Sequence, residues 1–330
     1  MKELIPKKME EYIYEGIVLT SIDVVDSPTS TAPSRVTFST ATRGTRNDTT
    51  ATFIHKVRDV KDPSGEEAEL LEAEKLSVEQ VRSLINGESE DNAERSTDEK
   101  DAGANRKVLF SVHGAQGNSR GYLLQIKQVE ERFKKFKLVP ILWPSAGQEF
   151  LAYFTDRGWS KAAGAAFQSM IPATETFSKS VLCHSMGNRV LKYFANEANS
   201  LFDNIFMVAS DVNSDLFNKK YIDGGNQEWR KDGVRITDML TKGKGGKIHV
   251  VHNKNDQSLL LSAVINMSAR LGRQGLPLDG DGCFSTNHDE VHPGVKDHIV
   301  NVDWTNNSPS EMHNYQFDWS LVAYYESQYV

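Results

Sequence analysis

The sequence is poor in cysteine, with only Cys183 and Cys283 among its 330 residues. A disulfide-stapled secreted domain needs several cysteines at regular spacings, so no disulfide framework is indicated here. We therefore expect a protein of a reducing compartment, with the cytoplasm as the default location. With 38% hydrophobic residues, a chain of this length can instead bury a substantial core.

Long apolar runs and an excess of positive charge are also missing. No uninterrupted apolar stretch approaches the ~20 residues of a membrane-spanning helix. The first residues, MKELIPKK, lead into polar residues rather than into the apolar centre of a signal peptide. The net charge is −7. We therefore expect no membrane span, no secretion signal and no nucleic acid partner.

The negative charge is concentrated in one stretch. Residues 62–106 contain 14 acidic and 5 basic side chains, a balance of −9, so the rest of the chain has a net charge of +2. This composition predicts a solvated, flexible insertion or linker, with an acidic interaction tail as the alternative and one short helix possible over 76–85. We predict strands within 1–61 that open the main sheet as antiparallel strands, an acidic insertion over 62–106, and a core over 107–330.

From residue 107 onward, short apolar runs alternate with amphipathic segments. This alternation predicts a mostly parallel central sheet with helices on both faces. The predicted strands are 107–112, 137–142, 179–184, 204–209, 247–252 and 298–304. The later helices are predicted over 259–271 and from about residue 310. Residues 210–246, where a cap domain would enter, are few and polar, which indicates a small lid at most.

The most informative segment is residues 179–191, with the sequence KSVLCHSMGNRVL. It predicts a buried strand, a tight turn carrying Ser185, and a helix, which is the arrangement of a nucleophile elbow. The usual pattern is G-x-S-x-G. Cys183 replaces the first glycine and Gly187 keeps the second, so the match is incomplete, although cysteine is small enough for a strained turn. The alternative is an ordinary turn with a surface serine.

From about residue 107 to its end, the chain resembles the α/β-hydrolase superfamily and, within it, an uncharacterised lipase- and esterase-like family with an H-S-M-G-N elbow. The segments that carry the resemblance are VHG at 112–114, WPS at 143–145, HSMGN at 184–188, ND at 255–256, RLG at 270–272 and HNY at 313–315. The resemblance implies an α/β-hydrolase fold and an oxyanion hole formed by the backbone amides of Ala115 and Met186.

The remaining members of a catalytic triad follow in the order Ser, acid, His that this fold uses. Asp256 follows the strand at 247–252 after a short turn, and we favour it as the acid. Asp211, just after the preceding strand, is the alternative acid. Among nine histidines, His313 lies between the last predicted strand and helix, where this fold supplies its base.

Two late segments of the sequence partly resemble metal-binding motifs. His288 and His292 are four residues apart, but the order differs from H-E-x-x-H and Pro293 follows at once. Residues 279–284 begin like a calcium loop but lack a ligand and the required glycine. We predict no metal and no cofactor.

The sequence thus predicts a serine hydrolase that cleaves a small-molecule acyl ester through Ser185, Asp256 and His313. The alternatives are a catalytically silent binding scaffold, or an acyltransferase, thioesterase or peptidase that uses the same triad.

Overall fold

A computed structural model describes fourteen stretches of the chain: residues 12–22, 24–25, 34–37, 51–60, 70–86, 107–115, 119–145, 152–170, 178–195, 201–224, 231–243, 245–276, 290–307 and 313–328. The strands in these residues are β1 (Val18–Thr20), β2 (Val24–Val25), β3 (Ser34–Thr37), β4 (Thr52–Val60), β5 (Leu70–Leu76), β6 (Lys107–Val112), β7 (Phe136–Leu142), β8 (Lys179–His184), β9 (Ile205–Val208), β10 (Ile248–His252) and β11 (Ile299–Asp303). The helices are α1 (Val78–Asn86), α2 (Ser119–Val129), α3 (Ala152–Met170), α4 (Gly187–Phe194), α5 (Lys219–Asp223), α6 (Asp232–Asp238), α7 (Gln257–Asn266), α8 (Leu271–Gln274), α9 (Pro293–Lys296) and α10 (Trp319–Ser327).

All the described strands join one sheet in the order β11-β10-β9-β8-β6-β7-β1-β4-β5-β3-β2. The strands from β11 to β1 in this order pair in parallel, and β4, β5, β3 and β2 extend the sheet by antiparallel pairing. The expected mostly parallel sheet is confirmed. One detail differs from the expectation: β1 runs parallel to β7, so it belongs to the parallel part of the sheet.

The core lies on both faces of this sheet because side chains alternate along each strand. Along β6, Val108 and Phe110 face a layer that also contains Phe167 of α3 and Val190 of α4. Leu109 faces the opposite layer, which includes residues of α2 and α10. Helices therefore cover both faces, as the alternation of apolar runs predicts.

The predicted boundaries of the acidic insertion need correction, because the strand β5 lies within 62–106, whereas α1 corresponds to the short helix considered over 76–85. Ala73 and Leu76 of β5 are buried, as are Val81 and Ile85 of α1. The acidic residues of this stretch hid β5, a strand that lies between β4 and β3, with Ala73 in one core layer and Leu76 in the other. The start of α1 is fixed by a capping box: Ser77 N–H donates to Gln80 Oε1 at 2.8 Å, and Gln80 N–H donates to Ser77 Oγ at 3.2 Å. The most acidic part, 87–106, lies outside the described residues.

Two helix boundaries also differ from the sequence expectation. The helix predicted over 259–271 is divided, because Met267 at the end of α7 has a left-handed φ of 48° and the chain is helical again only in α8. The last helix begins at Trp319 rather than near residue 310. The described residues before it, 313–318, are not helical.

The segment considered as a lid is folded onto the body of the protein in its described parts, 210–224 and 231–243. It contains α5, α6 and a 3-10 turn (Ser214–Phe217). Phe217, Ile236 and Met239 are buried in the core. In the part of the chain that the structure describes, no helix has the length and apolar character needed to cross a bilayer.

Candidate active site

Ser185 lies in the turn between β8 and α4, at the carboxyl end of a central strand. Its backbone is left-handed, with φ at 51°, a conformation that is strained for a residue with a side chain. Gly187 makes this turn possible, because a Cβ there would lie 2.6 Å from the carbonyl oxygen of His113. Gly114 has the same role from the other side, since its Cβ would lie 2.8 Å from the Cβ of Ser185.

Asn188 holds the elbow in shape, a role that the sequence analysis did not assign. Its Nδ2 donates to the carbonyl oxygens of Cys183 at 2.9 Å and Ser185 at 3.0 Å. The backbone N–H of Ser185 donates to the carbonyl of Val208 on the next strand at 3.0 Å. The strained turn is therefore tied to its own helix and to the neighbouring strand. Cys183, at the first glycine position of the motif, is fully buried.

The structure brings Ser185, His313 and Asp256 together. His313 Nε2 lies 2.7 Å from Ser185 Oγ, and His313 Nδ1 lies 2.7 Å from Asp256 Oδ2. A carboxylate only accepts, so Nδ1–H donates to Asp256 and the lone pair of Nε2 is directed at the serine hydroxyl. This tautomer is the one that a general base needs.

Asp256 is fully buried and has two functions at the carboxyl edge of the sheet. Oδ2 orients His313, while Oδ1 accepts from the backbone N–H of Leu259 at 2.9 Å and so caps the N-terminus of α7. The cap fixes the rotamer of the carboxylate, and thereby the position of the imidazole.

The alternative acid, Asp211, is not placed against His313. Its backbone N–H donates to the carbonyl of Ser185 at 3.1 Å, beneath the elbow. Its carboxylate accepts from Tyr153 Oη at 2.9 Å and from Ser262 Oγ, and it is close to Arg189 and Arg270. Asp211 thus belongs to a separate polar cluster on the far side of its own backbone.

His184, next to the serine in sequence, supports the loop that carries His313. Its Nε2–H donates to the carbonyl oxygen of His313 at 3.0 Å, and the two ring centroids are 4.9 Å apart. Burial, together with the nearby His313, lowers the pKa of His184 to about 3, so the ring is neutral at physiological pH. A neutral donor at this place fixes the His313 loop without adding a charge beside the imidazole.

Of the predicted oxyanion donors, Met186 follows Ser185 in the chain, and Ala115 follows Gly114, which lies close to the Cβ of Ser185. Among the described residues, neither backbone N–H has a hydrogen-bond partner. The loop that carries Ala115 is held by Trp143, whose indole Nε1–H donates to the carbonyl of His113 at 2.8 Å and whose backbone N–H donates to His113 Nε2 at 3.2 Å. Burial lowers the pKa of His113 to about 4, which keeps its ring neutral and able to accept this bond.

The two segments that partly resemble metal-binding motifs lie only partly within the described residues. His288 and residues 279–284 are not among the described residues. His292 caps α9 by accepting from the backbone N–H of Gly294 at 3.1 Å. Within the described ranges, no group of three or more His, Cys, Asp or Glu side chains is arranged to hold a metal ion.

Three comparisons with known proteins bear on the family of this chain. A search of solved structures matches MenH from S. aureus, with a TM-score of 0.34 and 14% sequence identity over 67% of this chain and 91% of that chain. No curated protein matches the sequence. A family model described as "Alpha/beta hydrolase of unknown function (DUF900)" matches residues 89–279, which is more than half of the chain. The chain therefore belongs to this family of alpha/beta hydrolases.

Proposed function

We propose that this protein is a serine hydrolase that cleaves esters or related acyl compounds through an acyl-enzyme intermediate. The observation that carries the proposal is the hydrogen-bonded chain Asp256–His313–Ser185, with both bonds of the imidazole at 2.7 Å. The three side chains come from different segments of the sequence, and no requirement of folding brings a serine, an imidazole and a buried carboxylate into this order.

In the first half of the reaction, Ser185 Oγ attacks the acyl carbon while His313 Nε2 takes its proton. Asp256 stabilises the resulting imidazolium and keeps its Nδ1–H directed away from the serine. Collapse of the tetrahedral intermediate breaks the bond to the leaving alkoxide, which takes the same proton back from Nε2. The products of this half are the free alcohol and an ester of Ser185.

The negative charge that develops on the acyl oxygen requires fixed donors. The backbone N–H groups of Ala115 and Met186 are suited to this role, because Met186 lies in the elbow turn and Ala115 follows Gly114, which packs against that turn, and both groups are uncommitted among the described residues. Met186 is also the N-cap of α4, where the positive end of the helix dipole favours an anion. In the second half, His313 activates a water that attacks the acyl-enzyme and restores Ser185.

Turnover of a matched substrate panel tests this proposal. The panel pairs p-nitrophenyl esters of increasing acyl chain length with the corresponding thioesters and anilides, and Ser185→Ala is the blank. We expect ester turnover that rises above the blank by about 10³-fold or more. Preferential thioester or amide cleavage would reassign the substrate class on the same triad. Equal rates for the wild type and Ser185→Ala would favour a binding scaffold without catalysis.

We also propose a cytoplasmic location. The supporting observation is the composition, since two cysteines in 330 residues are too few for the disulfide framework of a secreted domain.

A further inference from the structure

A polar cavity of about 170 Å³ lies beside the elbow helix α4. A single water needs roughly 10–15 Å³ of such space, so the cavity has room for a polyatomic ion. Four of its lining side chains are cations: Arg157 of α3, Arg189 and Lys192 of α4, and Arg270 just before α8. These residues come from three different elements and converge on one small volume.

The carboxylates around the cavity do not balance these cations. Asp211 is shared between Arg189, at 3.5 Å, and Arg270, at 3.4 Å, and it accepts from two hydroxyl groups as well. Asp232 pairs with Lys192 at 2.9 Å, but it also pairs with an arginine outside the cavity. Within the described ranges, four cations face two carboxylates, which leaves at least two positive charges uncompensated.

The guanidinium of Arg157 adds to this excess. In the part of the chain that the structure describes, it makes no ion pair. It is exposed on α3, at the mouth of the cavity, so an incoming ligand can reach it without displacing a protein partner.

Arg270 is the least satisfied of the four. It is only 3% exposed, and its Nε lies 3.4 Å from Asp211 Oδ1 without forming a hydrogen bond. Among the described residues, its side chain makes one hydrogen bond, a long contact of 3.5 Å from Nη2 to the carbonyl of Ser262. A guanidinium carries five N–H donors, and a buried donor without an acceptor is costly. Burial lowers the pKa of Arg270, an effect that Asp211 opposes and neighbouring Arg189 reinforces. The buried donors therefore call for a further acceptor.

We propose that this cavity binds a phosphate group, which Arg157, Arg189, Lys192 and Arg270 hold from three sides. A phosphate dianion matches the uncompensated charge, and its oxygens fit the planar fork of a guanidinium better than a single point charge does. Asn213 can supply a neutral donor, because its Oδ1 accepts from the N–H of Asp215 at 3.0 Å and its amide nitrogen has no hydrogen-bond partner among the described residues. The phosphate belongs to a free anion or to the headgroup of a lipid.

The phosphate site does not depend on the proposed hydrolase activity. None of the residues assigned to nucleophile, base, acid or oxyanion hole lines the cavity. The closest link is Asp211, whose backbone N–H binds the carbonyl of Ser185 while its carboxylate faces Arg189 and Arg270. Binding can therefore be measured on Ser185→Ala protein, which separates this proposal from the catalytic one.

Isothermal titration of the full chain with inorganic phosphate, against sodium chloride at matched ionic strength, tests the site. We expect saturable binding of one phosphate with a Kd below about 1 mM. Arg157→Gln should weaken binding by about tenfold, because one charge-assisted contact is lost. Arg157 is exposed, so this variant should fold. Lys161→Gln is the matched control, since it removes one positive charge from the next turn of α3 and does not line the cavity.

A second arm distinguishes the source of the phosphate. Phosphatidylcholine vesicles with and without phosphatidic acid are compared in a sedimentation assay. A lipid headgroup would be assigned to the site if three results coincide: vesicle binding requires phosphatidic acid, Arg157→Gln abolishes it, and inorganic phosphate does not bind. Absence of saturable binding in both arms would overturn the proposal. An equal loss in Arg157→Gln and Lys161→Gln would overturn it too, because a general surface attraction would then suffice.

Discussion

Asp256→Asn separates the catalytic function of this residue from its structural one. The carboxylate accepts from His313 through Oδ2 and from the backbone N–H of Leu259 through Oδ1. Asparagine caps a helix about as well as aspartate, so the bond to Leu259 can be kept. The amide cannot accept from Nδ1–H and stabilise an imidazolium as a carboxylate does. His313 would then turn an N–H toward Ser185, and the serine would have no base.

The expected loss is large and specific. Removal of the correct tautomer in such a triad lowers kcat by about 10⁴-fold, which corresponds to about 5.5 kcal/mol of transition-state stabilisation. No water can take the place of the carboxylate, because Asp256 is fully buried. The free energy of unfolding should change by less than about 0.5 kcal/mol through the cap, whereas Asp256→Ala should lose about 1 kcal/mol from the cap alone.

The assay compares kcat/KM on the best ester of the panel with urea unfolding of the same samples. Asp211→Asn is the matched control. It exchanges the same groups at a buried position but disturbs the ion pairs with Arg189 and Arg270, so it should lower stability more than turnover per folded molecule. The reasoning would be refuted if Asp256→Asn retained activity within tenfold of the wild type, or if Asp211→Asn were the more damaging change for kcat.

Three further predictions concern the stability of the fold. Gly187→Ala should lower turnover and stability, because its Cβ would press on the carbonyl of His113. Gly158→Ala has open space around its Cβ and should raise the free energy of unfolding by about 0.5–1 kcal/mol, and urea unfolding of both variants checks this. Trp143→Phe should destabilise the protein by about 1–3 kcal/mol through the unpaired carbonyl of His113, and an unchanged urea midpoint would contradict this. Burial lowers the pKa of His249 to about 3, so between this value and about pH 6.5 the imidazole is protonated in the unfolded chain but not in the folded protein. The free energy of unfolding is therefore highest above about pH 6.5 and falls as the pH decreases. His249→Gln should therefore remove about 2 kcal/mol of the stability loss between pH 7 and pH 5, measured by urea unfolding at both values.

The elbow and the mostly parallel sheet were accessible from sequence because their signals are local. An apolar run that ends in a small-residue turn and continues as an amphipathic helix specifies β8, Ser185 and α4 together. The positions of Asp256 and His313 could be inferred because the carboxyl ends of parallel strands lie at one edge of the sheet. The order of the strands within the sheet was not predicted, since it depends on pairing between segments far apart along the chain.

The parts that escaped prediction depend on contacts between distant residues. The bond from His184 to the carbonyl of His313 joins segments 129 residues apart. The strand β5 was hidden because Glu72, Glu74 and Lys75 interrupt its apolar residues within an acidic stretch of the sequence. The phosphate cavity has no motif at all, since its arginines become neighbours only after three elements pack.

Labelling with a fluorophosphonate, followed by intact-mass measurement and peptide mapping, tests the central claim most directly. A serine activated by a neighbouring imidazole attacks this reagent, whereas an ordinary surface serine does not. We predict a single adduct, located on Ser185 and absent from both Ser185→Ala and His313→Ala proteins. Absence of an adduct on the folded wild type, or equal labelling of Ser185→Ala, would contradict the account.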